Sequence, residues 1–379
     1  MTAKKSQRRG AGGTPPRAGS LKEVARRAGT SMPTASRVLN GLGDRYRISR
    51  ATQDRVREAA AALRFSPNLV AKGLRLGSTR SIGLVVPDIA NPFFAAIARA
   101  VSAVAHARGY SVLLGDTDDD VTREIELLAG LLDRQPDGLV VIPVGQQGDH
   151  LRVFETARPP VVLVDRGFPL LRLPSVMSDS RQGSFAAVSH LIGHGHRRIA
   201  CIRGLAGTMP DDLRMQGYRD ALAAHGIRFD ARLVAGTGFG KEAGQAGMRA
   251  LLAAGVEFTA AFAFSNLVGI GALESLLEAG LEVPADVSLV SFDEQPYSGV
   301  LAVPMTTVRQ DPAEIGRLAI EMLCRRIEHP AEPPPASVVV ATTLVPRESV
   351  APRASPAVDR SARSPVGPSS TGTRLRRGD

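Results

Sequence analysis

The stretch LKEVARRAGTSMPTASRVLNG, residues 21–41, carries two short helical patterns separated by a glycine. Leu21, Val24, Ala25 and Ala28 fall on one helical face, and Gly29 stops that helix. Ser31 is the candidate N-cap of a second helix running to about Asn40. Pro33 would lie in its first turn, where the missing N–H costs nothing. A third pattern starts at Ser49 and sets Val56, Ala59, Ala60 and Leu63 on its inner side. Helix, short glycine-containing turn and second helix is the helix-turn-helix plan, whose second helix enters the DNA major groove with its N-terminal residues first. Ser31, Thr34 and Ser36 offer short hydroxyls to phosphates, and Arg37 offers a planar fork to a guanine edge. Many three-helix proteins would satisfy so bare a pattern, so its meaning depends on the rest of the chain.

Charge is distributed in the same sense. Residues 1–80 hold 18 Lys+Arg against 4 Asp+Glu, a net of +14. Residues 81–350 hold 23 against 31, a net of −8, and residues 351–379 hold 6 against 2, a net of +4. The front of the chain suits a polyanion and the middle does not.

With 379 residues the chain exceeds the size at which one hydrophobic core keeps growing, so more than one domain is expected. Residues 1–19 and 351–379 are basic, rich in Gly, Pro and Ser, and without periodicity, a composition that predicts disorder. From Ile82 onward, short apolar runs alternate with longer helical patterns. The runs are Ile82–Val86, Tyr110–Leu114, Gly138–Ile142, Val161–Val164, Ile199–Ile202, Thr259–Phe264 and Val287–Phe292. Strands this apolar suit parallel sheets covered on both faces. So much β-α alternation predicts an α/β core of two doubly wound parallel-sheet lobes with a cleft between them, behind an all-α headpiece.

Eight stretches tie these readings together: AGTSMPTASRVLNG, SPNLVAKGLR, SIGLVVPDIANPFF, VVLVDR, GHRRIA, LRMQGY, VSLVSFDE and TTVRQ. In this order they resemble the lactose repressor/galactose repressor family of bacterial transcriptional regulators, and the resemblance covers residues 20–350. It implies a helix-turn-helix domain at 20–65, a hinge at 66–80, and a two-lobed effector-binding and dimerisation domain at 81–350, with a core like that of type I periplasmic binding proteins. It implies that Met32, Pro33 and Arg37 read bases while Ser31, Thr34, Ser36 and Asn40 hold phosphates. Met32 and Pro33 offer no side-chain hydrogen bonds, so specificity there would rest on apolar contact, as with thymine methyls. Leu74 matches the leucine that the family wedges into the central minor groove, and Arg75 follows it; a plain linker with a stray leucine is the competing reading. The segment GLGDRYRI is about three residues longer than its counterpart in the lactose repressor.

For the core, the resemblance implies an effector cleft at the carboxyl ends of the strands. Asp88, Phe93 and Phe94 follow the first strand, and Asn91-Pro92 would cap the helix there. At least one of the two phenylalanines is expected in the core. Asp165 follows VVLV, Arg214 matches the effector-clamping arginine, Asp293 an effector-contacting carboxylate, and Gln310 lies at a crossover between the lobes. Ser265-Asn266 stands where the family usually shows Asn-Asp, which leaves the ligand open beyond a small polar effector, a sugar or sugar derivative among the candidates. A homodimer on a near-palindromic duplex operator is the implied assembly.

Other constellations fall short. GTGFGKEAG, residues 236–244, has Ala235 and Glu242 where a phosphate loop needs Gly and Ser/Thr, and reads as a turn opening a helix. Asp116, Asp118 and Asp120 resemble a calcium loop, but Val121 replaces its glycine and Leu127 its closing glutamate. His190, His194 and His196 lack an accompanying carboxylate in the HExxH manner. Cys201 and Cys324 form no metal spacing and read as small buried hydrophobes. No catalytic constellation, metal or cofactor is expected. The longest uncharged run, Phe258 to Leu273, is too short to span a bilayer and no secretory signal pattern opens the chain, so no membrane partner and a cytoplasmic location are expected. The competing reading is a solute-binding protein of an uptake system, which shares the two-lobed core but has no DNA-binding head.

Overall fold

The computed structural model describes residues 20–65 and 78–353. The chain divides into two units at Arg80 and Ser81.

The first unit contains helices α1 (Leu21–Arg27), α2 (Met32–Leu39) and α3 (Arg50–Ala62). Each begins on a serine whose hydroxyl accepts a backbone N–H two or three residues into the helix: Ser20 from Glu23, Ser31 from Thr34 and Ser49 from Thr52. Ser20 and Glu23 form a reciprocal capping box, which anchors a helix only seven residues long. Gly29 ends the turn after α1 with φ 61, a left-handed conformation that glycine adopts without strain. Val24, Ala25, Ala28, Ala35, Val38, Val56, Ala59 and Ala60 form the core. Five alanines among these eight keep the helices close, and the expected Leu63 packs at the edge, half-buried.

In the second unit, two six-stranded sheets share one strand order. The first runs β11-β5-β4-β3-β1-β2 and the second β12-β10-β9-β8-β6-β7. The strands of the first sheet are β1 (Ser81–Val86), β2 (Ser111–Asp116), β3 (Gly138–Val141), β4 (Val161–Val164), β5 (Ser175–Ser178) and β11 (Val338–Val340). Those of the second are β6 (Ile199–Ile202), β7 (Val234–Ala235), β8 (Ala260–Ala263), β9 (Ser288–Phe292), β10 (Thr306–Arg309) and β12 (Thr343–Val345). All pairings are parallel except that of β10 with β12. Every expected apolar run overlaps a strand, with Tyr110, Ile142, Thr259, Phe264 and Val287 falling just outside the strand ends; Tyr110 precedes β2 and is buried in the core of the first lobe.

The intervening helices are α4 (Pro92–Ala107), α5 (Val121–Leu132), α6 (Ser180–Gly193), α7 (Met209–Ala224), α8 (Lys241–Ala253), α9 (Asn266–Glu278) and α10 (Pro312–Glu328). The chain changes lobes after β5, after β10 and after β11. Thus α10, which follows a strand of the second sheet, buries Ile315, Ala319, Ile320 and Leu323 in the core of the first lobe. Gln310 sits at that crossing, between β10 and α10. Strand carboxyl ends of both lobes converge on one cleft.

Candidate functional site

On α2 the burial pattern separates two faces. Ala35 and Val38 are buried, while Ser31, Met32, Pro33 and Arg37 are exposed and Thr34, Ser36 and Asn40 half-buried. Met32 is 50% exposed, so its side chain is free to make an apolar contact outside the headpiece core. Two of the expected phosphate ligands have local duties as well. Ser31 caps α2, and Asn40 donates its amide to the Ser36 carbonyl at 2.7 Å, closing the helix. Leu74 and Arg75 lie outside the described residues.

The cleft of the second unit gathers most of the expected effector residues. Asp88, Phe93, Phe94 and Asp165 line it from the first lobe, and Arg214, Ser265 and Asp293 from the second. Asn91 caps α4 as expected, accepting the Phe93 N–H at 3.1 Å. Phe93 and Phe94 both line the cleft and both pack in the first lobe's core.

Arg214, 3% exposed, is held on three sides. Its guanidinium carbon lies 3.8 Å from the centre of the Phe292 ring, Nη1 donates to the Phe264 carbonyl, and Nη2 is 3.9 Å from Asp293 Oδ1. Gln310 does not line the cleft; it stands behind Asp293 and donates Nε2 to Oδ1. The hydroxyl of Ser265 is engaged twice, accepting the Val268 N–H at 3.2 Å and donating to the Phe239 carbonyl at 2.9 Å. It therefore starts α9 and fixes Phe239.

Seven lining residues escape a reading of the sequence: Asn91 as a cleft residue, Asp119, Arg166, Pro210, Phe239, Gly240 and Leu267. Arg166, 5% exposed, is 3.9 Å from Asp165 and 4.0 Å from Asp119, with Phe239 of the other lobe 5.5 Å away. Its neighbour Asp165 was a signal for it. Phe239 lies in GTGFGKEAG, where α8 does open as expected but the aromatic side chain matters more than the glycines. Asn91 reaches Asn266 across the cleft, the Nδ2 of Asn266 donating to Oδ1 at 3.3 Å.

Burial pushes the carboxyls of Asp165 and Asp293 above the ordinary carboxylate range, against the opposing pull of Arg166 and Arg214 on the first and of Arg214 and Gln310 on the second. The Nε groups of Arg166 and Arg214 are buried and find no hydrogen-bond partner among the described residues. A buried guanidinium N–H without a partner is costly, and so is a buried carboxylate short of donors. Hydroxyl groups satisfy both, accepting from the arginines and donating to the carboxylates. The phenylalanines supply an apolar wall.

The remaining constellations have structural uses. Asp120 caps α5 through the Thr122 and Arg123 N–H groups. His196 is buried between Thr259 Oγ1 and the Ala351 carbonyl, at 2.9 and 3.1 Å. Cys201 and Cys324 are buried in different lobes. Among the described residues no cluster of His, Cys, Asp and Glu is placed to hold a metal ion, and no helix is long and apolar enough to cross a membrane.

Comparison with known proteins yields the same two parts. Residues 20–68 match the family described as bacterial regulatory proteins, lacI family, and residues 188–350 match the periplasmic binding protein-like domain. The ribose operon repressor of Haemophilus influenzae is 31% identical over 330 residues, covering 87% of this chain and 98% of that protein. The transcriptional repressor CytR of Escherichia coli is 33% identical over 311 residues, 82% of this chain and 90% of that one. Among solved structures, the transcriptional regulator CelR in complex with cellobiose is 32% identical with a TM-score of 0.67, covering 87% of this chain and 99% of that one. The lac repressor dimer bound to operator and the anti-inducer ONPF is 25% identical with a TM-score of 0.78, covering 88% of this chain and all of that one. A helix-turn-helix of this family, joined to a two-lobed core whose cleft is lined by buried arginines and carboxylates, makes this chain a DNA-binding transcriptional regulator of the lacI family.

Proposed function

We propose that the chain represses transcription as a homodimer on a near-palindromic operator, and that a small neutral polyhydroxylated effector in the cleft sets its grip on DNA. The observation that carries this reading is the composition of the cleft. Asp88, Asp119, Asp165 and Asp293 face Arg166 and Arg214 there, four carboxylates against two guanidinium groups. That surplus of negative charge opposes a phosphate or carboxylate ligand and favours one rich in hydroxyls. Of the relatives, CelR is in complex with cellobiose, and another is named the repressor of a ribose operon.

In this reading residues 20–65 form the DNA-binding domain, with Met32, Pro33 and Arg37 on bases and Ser31, Thr34, Ser36 and Asn40 on phosphates. Residues 66–80 form the hinge, where Leu74 wedges the minor groove beside Arg75, and residues 81–350 form the effector domain. Asp88, Phe93, Phe94, Asp165, Arg214 and Asp293 hold the effector, with Ser265 and Gln310 supporting them. The protein acts in the cytoplasm and performs no catalysis. A solute-binding role would leave the helix-turn-helix without a use.

A thermal-shift panel of neutral mono- and disaccharides, ribose and cellobiose included, alongside sugar phosphates, tests the ligand class. A ligand at a hundred times its dissociation constant stabilises the folded protein by about 2.7 kcal/mol. Stabilisation by a neutral saccharide supports the reading, and stabilisation by sugar phosphates alone would contradict it.

A further inference from the structure

The segment between α2 and α3 is organised around a buried amide. Gln53, 5% exposed, donates from Nε2 to Asp44 Oδ1 at 2.9 Å and to the Ile48 carbonyl at 3.0 Å. Gly43 lies flat against it, since a Cβ there would come within 2.4 Å of the Gln53 side chain. Backbone hydrogen bonds from Tyr46 to Leu42, Arg47 to Asp44 and Ile48 to Gly43 close the turn, and Leu42 N–H is fastened to the Arg37 carbonyl at 2.9 Å. These restraints bring the Tyr46 ring over the side chain of Arg37, whose guanidinium carbon lies 4.1 Å from the ring centre. Both residues are exposed, and Tyr46 is 48% accessible, so the contact is not a by-product of core packing.

We propose that Tyr46 is the positioning residue for Arg37, a shelf that holds the guanidinium in place for a guanine edge. The proposal rests on the reading of Arg37 as a base-reading residue. An exposed arginine samples many rotamers, and a bidentate contact with guanine requires one of them. Stacking on an aromatic face restricts that sampling before DNA arrives, without occupying the N–H groups that point along the guanidinium plane. The extra residues of GLGDRYRI thereby acquire a use: they bring an aromatic ring to the end of the recognition helix.

The test uses the full chain and a duplex selected from a random pool by the wild-type protein, with each base position then varied. Tyr46→Leu is expected to lose about two- to fivefold in affinity for the selected duplex, the effect of one exposed cation–π contact. The loss should fall at the position where Arg37→Ala flattens base preference, with affinity for random DNA unchanged. Tyr46→Phe keeps the ring and should behave as wild type, and Tyr46→Leu should have no further effect in an Arg37→Ala background. Equal loss on all duplexes, a Tyr46→Phe as defective as Tyr46→Leu, or no loss would each overturn the proposal. If Arg37→Ala flattens base preference while Tyr46→Leu does nothing, the shelf alone fails. If Arg37→Ala leaves base preference intact, the base-reading role fails and the shelf with it. A melting curve for each variant checks that the headpiece is folded, and Tyr46→Gln provides a second ring-free variant.

Discussion

Asp165 and Asp293 occupy the same place in the two lobes. Each is the first residue after a topologically equivalent strand, β4 and β9, and each takes a left-handed backbone conformation, with φ 63 and φ 71. Asp and Asn tolerate this region better than other side chains with a Cβ. The repeat of the fold thus turns one carboxylate toward the cleft from each side. The two roles of these residues, backbone and charge, can be separated. Asp165→Asn and Asp293→Asn keep the turn and weaken the effector, whereas Asp165→Ala and Asp293→Ala also cost about 1–2 kcal/mol of stability for the strained backbone. Denaturant melts of the four variants check this; equal stability of the Asn and Ala forms would remove the backbone role.

The raised carboxyl groups give a pH dependence of defined sign. A folded value above the ordinary 3.8 means that the folded domain binds the proton more tightly than the unfolded chain. The contribution of each group to stability therefore falls as pH rises from 3.8 through its raised value, and is constant above it. Wild type should lose stability relative to Asp165→Asn across that window. An effector hydroxyl donating to the ionised carboxylate has the opposite preference, so effector affinity should weaken as pH falls through the same window. Calorimetric titration of a saccharide ligand at several pH values measures it, and an affinity that rose on acidification would argue against carboxylate acceptors.

Packing of the second lobe makes a separate prediction. A Cβ at Gly217 on α7 would meet the Arg181 carbonyl of α6 at 2.1 Å and Ser184 Cβ at 2.8 Å. Backbone cannot yield cheaply, so Gly217→Ala should destabilise by about 1–3 kcal/mol. Gly193, at the end of α6, has nothing within 4 Å of such a Cβ, and Gly193→Ala should be neutral or slightly stabilising. A Gly217→Ala variant melting with wild type would show that the two helices are not in close contact.

The parts of this molecule legible in sequence are those governed by local rules. Ser31 and Ser49 announce their helices because an N-cap acts within three residues. Strands such as VVLV at 161–164 are legible because burial on both faces demands an unbroken apolar run. Strands β5, β7, β10, β11 and β12 were not, being two to four residues long or carrying serine and threonine, and stabilised by neighbours distant in the chain. Asp88, Asp165, Arg214 and Asp293 could be placed in the cleft because each stands in a recognisable motif. Arg166 closes the motif VVLVDR beside Asp165, whereas nothing local marks Phe239, which becomes a cleft residue only by meeting Arg166 across the two lobes. Ser265 lines the cleft and Gln310 stands behind it, but the partners they take, Phe239 and Asp293, are set by tertiary packing.

DNA is read by one unit of the chain and controlled from the cleft of the other. The most direct measurement is a fluorescence-anisotropy titration of a selected duplex, with and without a stabilising saccharide, on wild type, Arg37→Ala and Arg214→Ala. Arg37→Ala should lose about 1–3 kcal/mol on the selected duplex and little on random DNA. Arg214→Ala should bind the duplex nearly as wild type does, since Arg214 lies in the second unit. It should lose about 2–5 kcal/mol of saccharide affinity, because its removal leaves Asp293 and the ligand without a buried charged partner. The saccharide should shift the wild-type and Arg37→Ala curves and leave the Arg214→Ala curve in place at the same concentration. A saccharide that binds the wild-type cleft without moving its DNA-binding curve would contradict control from the cleft.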